Sequence, residues 1–228
     1  MENTKQERYI DTIERNGHFL ESIREINSSA YVLRFSKNNL NYKSGQYITL
    51  GLENDLESRE YSVYSGANED FLEVLVREVE DGNVSKKLKK IKKNQELNVD
   101  GPFGFFTIPE EEIKSKKLLF IATGTGISPF HSHIKTHKGM DYTILHGVSS
   151  TEDCFDKEVY EKDRYISCIS KSKDGDFFGR VTDYLRQHPI DPNTRCYLCG
   201  NCNMIYEAFD ILSEKGIPST NLHAEVYF

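Results

Sequence analysis

The sequence lacks several features that would place it in common functional classes. No apolar run approaches about 20 residues, the length of a membrane-spanning helix, and the polar segment 1–17 has no apolar core of signal-peptide length. Basic residues are not in excess: 29 Lys and Arg against 36 Asp and Glu give a net charge of −7, which argues against a nucleic-acid scaffold. Internal repeats, low-complexity tracts and long linkers are also missing. We therefore expect a soluble, cytoplasmic protein.

A complete cysteine motif for a metal is missing as well. The five cysteines are an odd number without a secreted context, so we expect reduced thiols. Cys196, Cys199 and Cys202 have a spacing with which an iron–sulfur motif could begin, but no fourth cysteine follows closely. Cys196 also falls inside a predicted strand, so Cys196 and Cys199 are expected on different faces. The sequence predicts no metal site.

The first half has the pattern of a β-structure. Short segments rich in β-branched and aromatic residues alternate with Gly, Asn, Asp and Ser, which predicts an antiparallel barrel or sandwich. One helix interrupts the strands, because Val84, Leu88 and Ile91 recur at helical spacing. Gly101–Gly104 is predicted to be a turn. The predicted strands are Tyr31–Phe35, Gln46–Leu50, Tyr61–Tyr64 and Phe71–Val76.

The second half changes to strands that alternate with helices, which predicts a parallel sheet with helical crossovers. The polar segment 109–117 marks the change between the two patterns. We therefore predict an antiparallel β-barrel domain with one helix at 1–111 and an α/β domain at 112–228. The predicted strands are Leu118–Ala122, Tyr142–Leu145, Tyr165–Ile169, Cys196–Leu198 and Leu222–Val226, and the predicted helices begin near Ser128 or span Val181–Gln187 and Met204–Lys215.

Two glycine-containing segments are candidates for phosphate binding. Gly124–Pro129 follows an apolar strand and opens a predicted helix, where glycines let the backbone approach a pyrophosphate and helix N–H groups are free. It lacks the third glycine of the usual dinucleotide fingerprint, so an ordinary strand-to-helix turn is the alternative. Gly82–Ser85 resembles a second cradle of this kind, and a hairpin turn followed by a capped helix is its alternative.

A third candidate lies at the start of a predicted strand. Arg59 and Tyr61 share one face of this strand, and Ser62 lies on the other. A guanidinium can bind a pyrophosphate through two hydrogen bonds, a tyrosine ring can lie against a flat heterocycle, and a hydroxyl can bond a ring nitrogen. The alternative is a barrel strand with a surface arginine and a core tyrosine.

Taken in order, these segments resemble the motifs of the ferredoxin–NADP reductase family, in particular the short bacterial ferredoxin/flavodoxin–NADP reductases. The resemblance runs from about residue 21 to residue 228. It implies that 1–111 binds FAD and that 112–228 binds NADP. The motifs are Arg59-x-Tyr61-Ser62, Gly82-x-x-Ser85, Gly124-Thr125-Gly126-Ile127-x-Pro129, Cys199-Gly200-Asn201 and Ala224-Glu225-x-Tyr227-Phe228.

The resemblance also implies roles for individual residues. Ser62 would lie near flavin N5, Cys199 and Glu225 in the nicotinamide pocket, and Tyr227 over the flavin face. The residues implied for FAD binding are Arg59, Tyr61, Ser62, Leu75, Val76, Arg77, Asn83, Val84, Ser85, Thr125 and Phe228. The residues implied for NADP binding are Gly124, Gly126, His146, Gly147, Lys171, Arg180, Cys199, Gly200 and Asn201.

The choice between NADP and NAD depends on the 2′-phosphate. Short bacterial relatives have an arginine where this chain has Val148–Ser150, so that contact is missing. Lys171 and Arg180 resemble the family's other 2′-phosphate contacts, although a lysine acts only as a point charge. We therefore favour NADP, with NAD as the alternative.

The predicted function is FAD-dependent electron transfer between NADP(H) and a one-electron carrier, ferredoxin or flavodoxin. The lysine-rich run Lys86–Lys93 is either a solvated face or a docking patch for that carrier. Two alternatives stay open. The protein is an NADH-dependent reductase component of an oxygenase system, or a flavin-binding regulatory subunit without turnover.

Overall fold

The structure, a computed structural model, describes residues 17–80 and 82–227. Its first half contains a six-stranded antiparallel sheet. The strands are β1 (His18–Glu25), β2 (Ala30–Ser36), β3 (Tyr47–Leu52), β4 (Ser58–Ser62), β5 (Phe71–Arg77) and β6 (Glu96–Phe103). They follow the order β4-β3-β6-β1-β2-β5, and a bridge between Val63, directly after β4, and Val74 in β5 closes the sheet. The predicted antiparallel barrel is therefore confirmed.

The barrel core forms because inward and outward side chains alternate along each strand. Ile48 and Leu50 of β3, for example, are fully buried. The single helix of this half, α1 (Asn83–Leu88), packs Val84 and Leu88 onto the same core. Burial of these two side chains confirms the helical face that their spacing predicts.

The sequence pattern does not predict β1 and β6, because polar residues occupy most of β1, and polar residues together with glycine and proline occupy most of β6. The predicted turn at Gly101–Gly104 is wrong, since residues 101–103 are the last part of β6. Phe103 pairs with Tyr47 of β3, and the register of the two strands shifts between Tyr47 and Thr49. Glycine and proline are tolerated at such an irregularity, so their presence here does not end the strand.

The second half contains a six-stranded sheet in which every pair of neighbouring strands is parallel. Its strands are β7 (Leu118–Thr123), β8 (Tyr142–Val148), β9 (Tyr165–Ile169), β10 (Phe177–Phe178), β11 (Arg195–Gly200) and β12 (Leu222–Val226). The helices are α2 (Glu110–Ser115), α3 (Ser128–Thr136), α4 (Val181–Gln187) and α5 (Cys202–Glu214). The predicted parallel sheet with crossovers is confirmed. The boundary between 111 and 112 stays a prediction, and α2 spans it.

The strand order of the second sheet creates a crevice. The order is β10-β9-β8-β7-β11-β12, so the chain moves outward from β7 to one edge and then returns to the other side of β7. Loops that leave β7 and β11 at their carboxyl ends therefore diverge. Ligands of open α/β sheets bind at such a switch point.

The segment 149–164, between β8 and β9, joins the two halves. Asp156 accepts two hydrogen bonds from the Arg24 guanidinium at 2.8 and 2.6 Å and one from the Tyr64 hydroxyl at 3.0 Å. The Tyr64 ring also stacks on His131 of α3 with 3.8 Å between ring centroids. Polar and stacking contacts thus hold the barrel against the parallel sheet.

Two features are absent from residues 17–80 and 82–227. No helix in these ranges combines the length and apolar character that a bilayer crossing requires. No three His, Cys, Asp or Glu side chains of these ranges converge on a possible metal position. Cys196 and Cys199 lie in different core clusters on opposite sides of the sheet, as the strand prediction requires.

Candidate active site

The barrel carries a cavity of about 820 Å³ along β4, the end of β5 and the start of α1. Cofactor sites typically have roughly 300–1,000 Å³. Val76 does not line this cavity, because its side chain is fully buried in the barrel core, and Phe228 lies outside the described residues. The remaining residues implied for FAD all line it: Arg59, Tyr61, Ser62, Leu75, Arg77, Asn83, Val84, Ser85 and Thr125.

Strand β4 supplies a charged group and a neutral ring to this cavity. Arg59 is exposed, and its Nη1 donates to the Ser58 carbonyl oxygen at 2.7 Å. It forms no ion pair with any other residue that the structure describes. Burial raises the pKa of the Tyr61 phenol to about 12, so this phenol is neutral at physiological pH. The strand thus presents a guanidinium that is available to an anion.

The start of α1 forms a cradle at the same cavity. Gly82 occupies the N-cap position and has no side chain to cap the helix, so the first N–H groups of α1 need another partner. A Cβ atom at Gly82 would lie 3.0 Å from Val79 Cβ and 3.1 Å from Ser85 Oγ, so a larger residue would crowd the turn. Ser85 Oγ accepts a hydrogen bond from the Val79 amide at 3.3 Å. These features fit a bound phosphate group.

A second cavity of about 680 Å³ lies at the carboxyl ends of β7, β8, β9 and β11. Gly124 has φ +53°, and a Cβ atom there would meet nothing within 4 Å. The Asn201 side chain caps α5 by accepting from the amides of Asn203 and Met204. The residues implied for NADP that line this cavity are Gly124, Gly147, Arg180, Gly200 and Asn201.

Four residues implied for NADP do not line this cavity. Gly126 is packed against strand β11, where a Cβ atom would overlap the Cys199 carbonyl. Lys171 is exposed and follows Ser170, which does line the cavity. His146 is fully buried, and Cys199 is discussed below.

His146 supports the glycine turn from below. Its Nε2 lies 2.9 Å from the Gly124 carbonyl oxygen and its Nδ1 lies 2.8 Å from the Tyr165 hydroxyl. Burial lowers the pKa of His146 to about 4, so the ring is neutral. Because a carbonyl oxygen only accepts, Nε2 carries the proton and Nδ1 accepts from Tyr165. His146 therefore holds the turn that Gly124 forms rather than contacting a ligand.

The two cavities meet. Arg77 at the end of β5, Thr125 after β7 and Tyr227 after β12 line both of them. These residues come from both halves of the chain. Two elongated ligands, one in each cavity, would therefore approach each other at this junction.

The residues implied for catalysis converge at the junction. Ser62 Oγ donates to Glu225 Oε2 at 3.3 Å, although β4 and β12 belong to different sheets. Cys199 of β11 pairs in register with Glu225 of β12 and is fully buried. The Tyr227 hydroxyl is buried beside Ser62 and Cys199. Tyr227 lines both cavities and packs against the core cluster that contains Cys199.

Two family models match the chain: an oxidoreductase FAD-binding domain over residues 19–108 and an oxidoreductase NAD-binding domain over residues 120–209. These ranges contain the two cavities' main walls. The chain belongs to the ferredoxin–NADP reductase family. The reductase's cofactors are FAD and a nicotinamide dinucleotide.

Relatives of the reductase include ferredoxin–NADP reductases and reductase components of oxygenases. It is 25% identical to the ferredoxin–NADP reductase of Azotobacter vinelandii, with 86% of this chain and 88% of the relative covered. It is 27% identical to terephthalate 1,2-dioxygenase reductase component 2 of Comamonas, with 82% of this chain and 59% of the relative covered. A ferredoxin NADP+ reductase structure from Neisseria gonorrhoeae shares the fold, with a TM-score of 0.82, 22% identity and coverage of 92% and 98%.

Burial controls the protonation of the junction in this reductase. It raises the pKa of Glu225 to about 7; the Ser62 hydrogen bond opposes this shift and the charge of Glu60 adds to it. Burial also raises the pKa of the Cys199 thiol, and the nearby Glu225 carboxylate contributes. The thiol is therefore neutral, and Glu225 is the junction group that titrates near physiological pH.

Sequence reasoning missed part of both cavity walls. Glu60 occupies the unspecified position of the Arg-x-Tyr-Ser motif, and its place between Arg59 and Tyr61 was the available signal. Asn203 and Met204 follow the capping Asn201, so the helix start could have indicated them. Asp153 ends a three-residue 3-10 helix, Thr151–Asp153, which is too short to give a periodic signal in the sequence. The missed residues of the first cavity are Tyr47, Ser58, Glu60, Val79 and Val226; those of the second include Ser149, Asp153, Ser170, Thr182, Asn203, Met204 and Glu207.

Proposed function

We propose that this protein is a FAD-dependent reductase that transfers electrons between NADP(H) and a one-electron carrier, ferredoxin or flavodoxin. The observation that supports this function is the junction at which Arg77, Thr125 and Tyr227 line both cavities. Hydride transfer requires nicotinamide C4 and flavin N5 in near contact, which such a junction permits. When bound, the flavin accepts two electrons as hydride and releases them singly.

In this proposal the barrel holds FAD. Arg59 and the free N–H groups at the start of α1 bind the diphosphate. The Arg59 guanidinium is a cation without an ion pair to any described residue, and the N–H groups are donors without a side-chain cap. Tyr61 lies against the isoalloxazine, and the main chain of 75–77 faces the flavin or its ribityl chain. Ser62 lies near N5.

The parallel sheet holds the nicotinamide dinucleotide. Gly124, Thr125, Gly200 and Asn201 surround its diphosphate and nicotinamide ends. Arg180 lines the outer part of the cavity and supplies a charge for a 2′-phosphate, with the exposed Lys171 nearby in sequence. These cations support NADP over NAD.

The junction residues position the reacting rings and exclude water. The Ser62–Glu225 hydrogen bond fixes the Ser62 hydroxyl, and Glu225 can hold a proton there because its pKa is about 7. Tyr227 occupies the place that the nicotinamide must reach, so it acts as a gate. Cys199 shapes the pocket behind that gate.

Carrier docking is proposed for the lysine-rich run, Lys86–Lys93. Lys87 pairs with Asp55 at 2.6 Å and Lys89 pairs with Glu78 at 3.3 Å. Lys86 donates to the Glu80 carbonyl oxygen. The side chains of Lys90, Lys92 and Lys93 form neither an ion pair nor a hydrogen bond with any described residue, and these lysines follow the helix whose start lines the first cavity. These three lysines give a local positive field that would attract an acidic carrier.

The second candidate function is an NADH-dependent reductase component of an oxygenase system. Two observations favour it: several relatives are such components, and no arginine occurs at 148–150. The chain covers 59% of the terephthalate dioxygenase reductase, so that relative contains a region that this chain does not match. A flavin-binding subunit without turnover is the third candidate.

Steady-state kinetics distinguish these functions. We expect kcat/KM for NADPH to exceed that for NADH by at least about tenfold, since the 2′-phosphate adds a charge-assisted contact. A preference for NADH would instead support the oxygenase component. Absence of dye reduction with either nucleotide by the FAD-loaded protein would support the subunit without turnover.

A further inference from the structure

Arg77 holds a special position at the junction of the two cavities. It ends β5, and its Nη2 donates to Asp153 Oδ1 at 2.7 Å. The arginine side chain remains 39% exposed, whereas that of Asp153 is 13% exposed. Arg77 Nε is buried and has no hydrogen-bond partner within the described residues. The guanidinium therefore has a donor that no described residue uses.

Asp153 is an acidic residue in a cavity wall that is proposed to receive phosphates. It belongs to the segment 149–164 of the second domain and also accepts from Asn27 Nδ2 at 3.2 Å. A carboxylate there repels a nucleotide diphosphate unless a cation neutralises it. Arg77 is that cation. Its ion pair with Asp153 therefore occupies the guanidinium that an entering diphosphate would bind.

The same segment carries a second pair of this kind. Asp156 binds Arg24 through two hydrogen bonds, and neither residue lines either cavity. The segment thus reaches the barrel through two Asp–Arg pairs, one inside the crevice and one outside. Only the inner pair can exchange its carboxylate for a ligand phosphate.

We infer that Asp153 competes with the diphosphate of a dinucleotide for Arg77, and so sets the affinity and the salt dependence of dinucleotide binding. The inference rests on the proposed function, which supplies the ligand. A diphosphate that enters the crevice takes the place of Asp153 beside the guanidinium. Arg77 lines both cavities, and FAD and NADP(H) each contain a diphosphate. Binding of the two dinucleotides is therefore measured separately.

The test is the substitution Asp153→Asn, with NADP+ binding to the FAD-loaded protein measured by titration calorimetry at several salt concentrations. We expect binding about three- to fivefold tighter at low salt, a change typical of one half-exposed ion pair. The gain should shrink at high salt, because counterions screen the carboxylate. FAD binding to the apoprotein, followed by flavin fluorescence, shows which diphosphate meets Arg77.

Two further variants separate competition from a general structural effect. Asp156→Asn makes the same charge change in the outer pair, so it should lower the unfolding midpoint and leave both dinucleotide affinities unchanged. Arg77→Gln should weaken binding, because it removes the contested guanidinium and leaves the Asp153 carboxylate unneutralised. Adding Asp153→Asn to it removes only that repulsion, so the double variant should bind more weakly than both the wild type and the Asp153→Asn variant.

The outcomes are distinct. An Asp153→Asn variant that binds both dinucleotides no more tightly than wild type at low salt overturns the inference. An equal gain from Asp156→Asn overturns it as well. Wild-type protein that binds neither dinucleotide overturns the proposed function together with this inference, whereas normal binding that is indifferent to Asp153 overturns the inference alone.

Discussion

At the scale of single residues, Glu225 has the most informative environment. It comes from β12, yet it accepts a hydrogen bond from Ser62 of the barrel, so its carboxyl group is enclosed by both domains. Enclosure removes water and favours the neutral form, which accounts for a pKa of about 7 against an ordinary value of 4.5. Glu60 shares the first cavity and adds a like charge.

This shift has a consequence for stability. A raised carboxyl pKa means that the folded protein binds more protons than the unfolded chain between the two pKa values. The wild type should therefore lose stability as pH rises from about 4.5 to about 7, relative to a Glu225→Gln variant that stays neutral. Urea unfolding at a series of pH values measures the difference.

The control for this prediction is Glu60→Gln. Removing the neighbouring charge lowers the pKa of Glu225, so the pH range over which stability falls should become narrower. A stability difference between wild type and Glu225→Gln that does not change between pH 4.5 and pH 8 would contradict the assignment.

At the scale of elements, the sequence predicted those strands and helices whose residues follow a local spacing pattern. Strands β9 and β12 and helix α4 coincide with their predicted ranges, because their apolar residues recur at the spacing of a strand or of a helix. The motif residues Arg59, Ser62 and Gly124 line cavities because glycine turns and strand ends place them there.

Other parts of the site depend on contacts that no local pattern contains. Asp153 and Arg77 form a hydrogen bond although they are 76 positions apart in the sequence, and Ser62 and Glu225 do so although they are 163 positions apart. His146 was expected at the ligand but is buried beneath Gly124, since the alternation of β8 turns its ring inward. Such pairings follow from domain packing, which the sequence alone does not specify.

The lysine-rich run gives a prediction at the same scale. Replacing Lys90, Lys92 and Lys93 by Gln should slow reduction of the carrier by about tenfold at low salt, because electrostatic steering is lost. Reduction of a small uncharged dye should be unaffected. Stopped-flow measurement with both acceptors tests this.

A matched control exists elsewhere on the surface. Lys114, Lys116 and Lys117 are exposed and form no ion pair with the described residues, so their replacement by Gln changes net charge equally. This control should reduce the carrier at the wild-type rate. Equal slowing in both triple variants would assign the effect to net charge and remove the docking patch.

At the scale of the whole molecule, the account depends on how the two sheets face each other. Ser44 of the barrel bonds His133 at 2.9 Å and His137 at 3.1 Å, and Asp156 holds Arg24 and Tyr64. These contacts are among the many that hold the barrel against the parallel sheet and keep the two cavities at their separation. A small change in that separation would be costly, because hydride transfer needs the two rings within contact distance.

The most direct measurement is an anaerobic titration of the purified protein, followed by its visible spectrum. We predict a yellow protein with about one FAD per chain, whose flavin absorbance bleaches fully when about one equivalent of NADPH is added. Protein that takes up no FAD, or a bound flavin whose spectrum neither NADPH nor NADH changes, would contradict the claim that the two cavities bring two cofactors together.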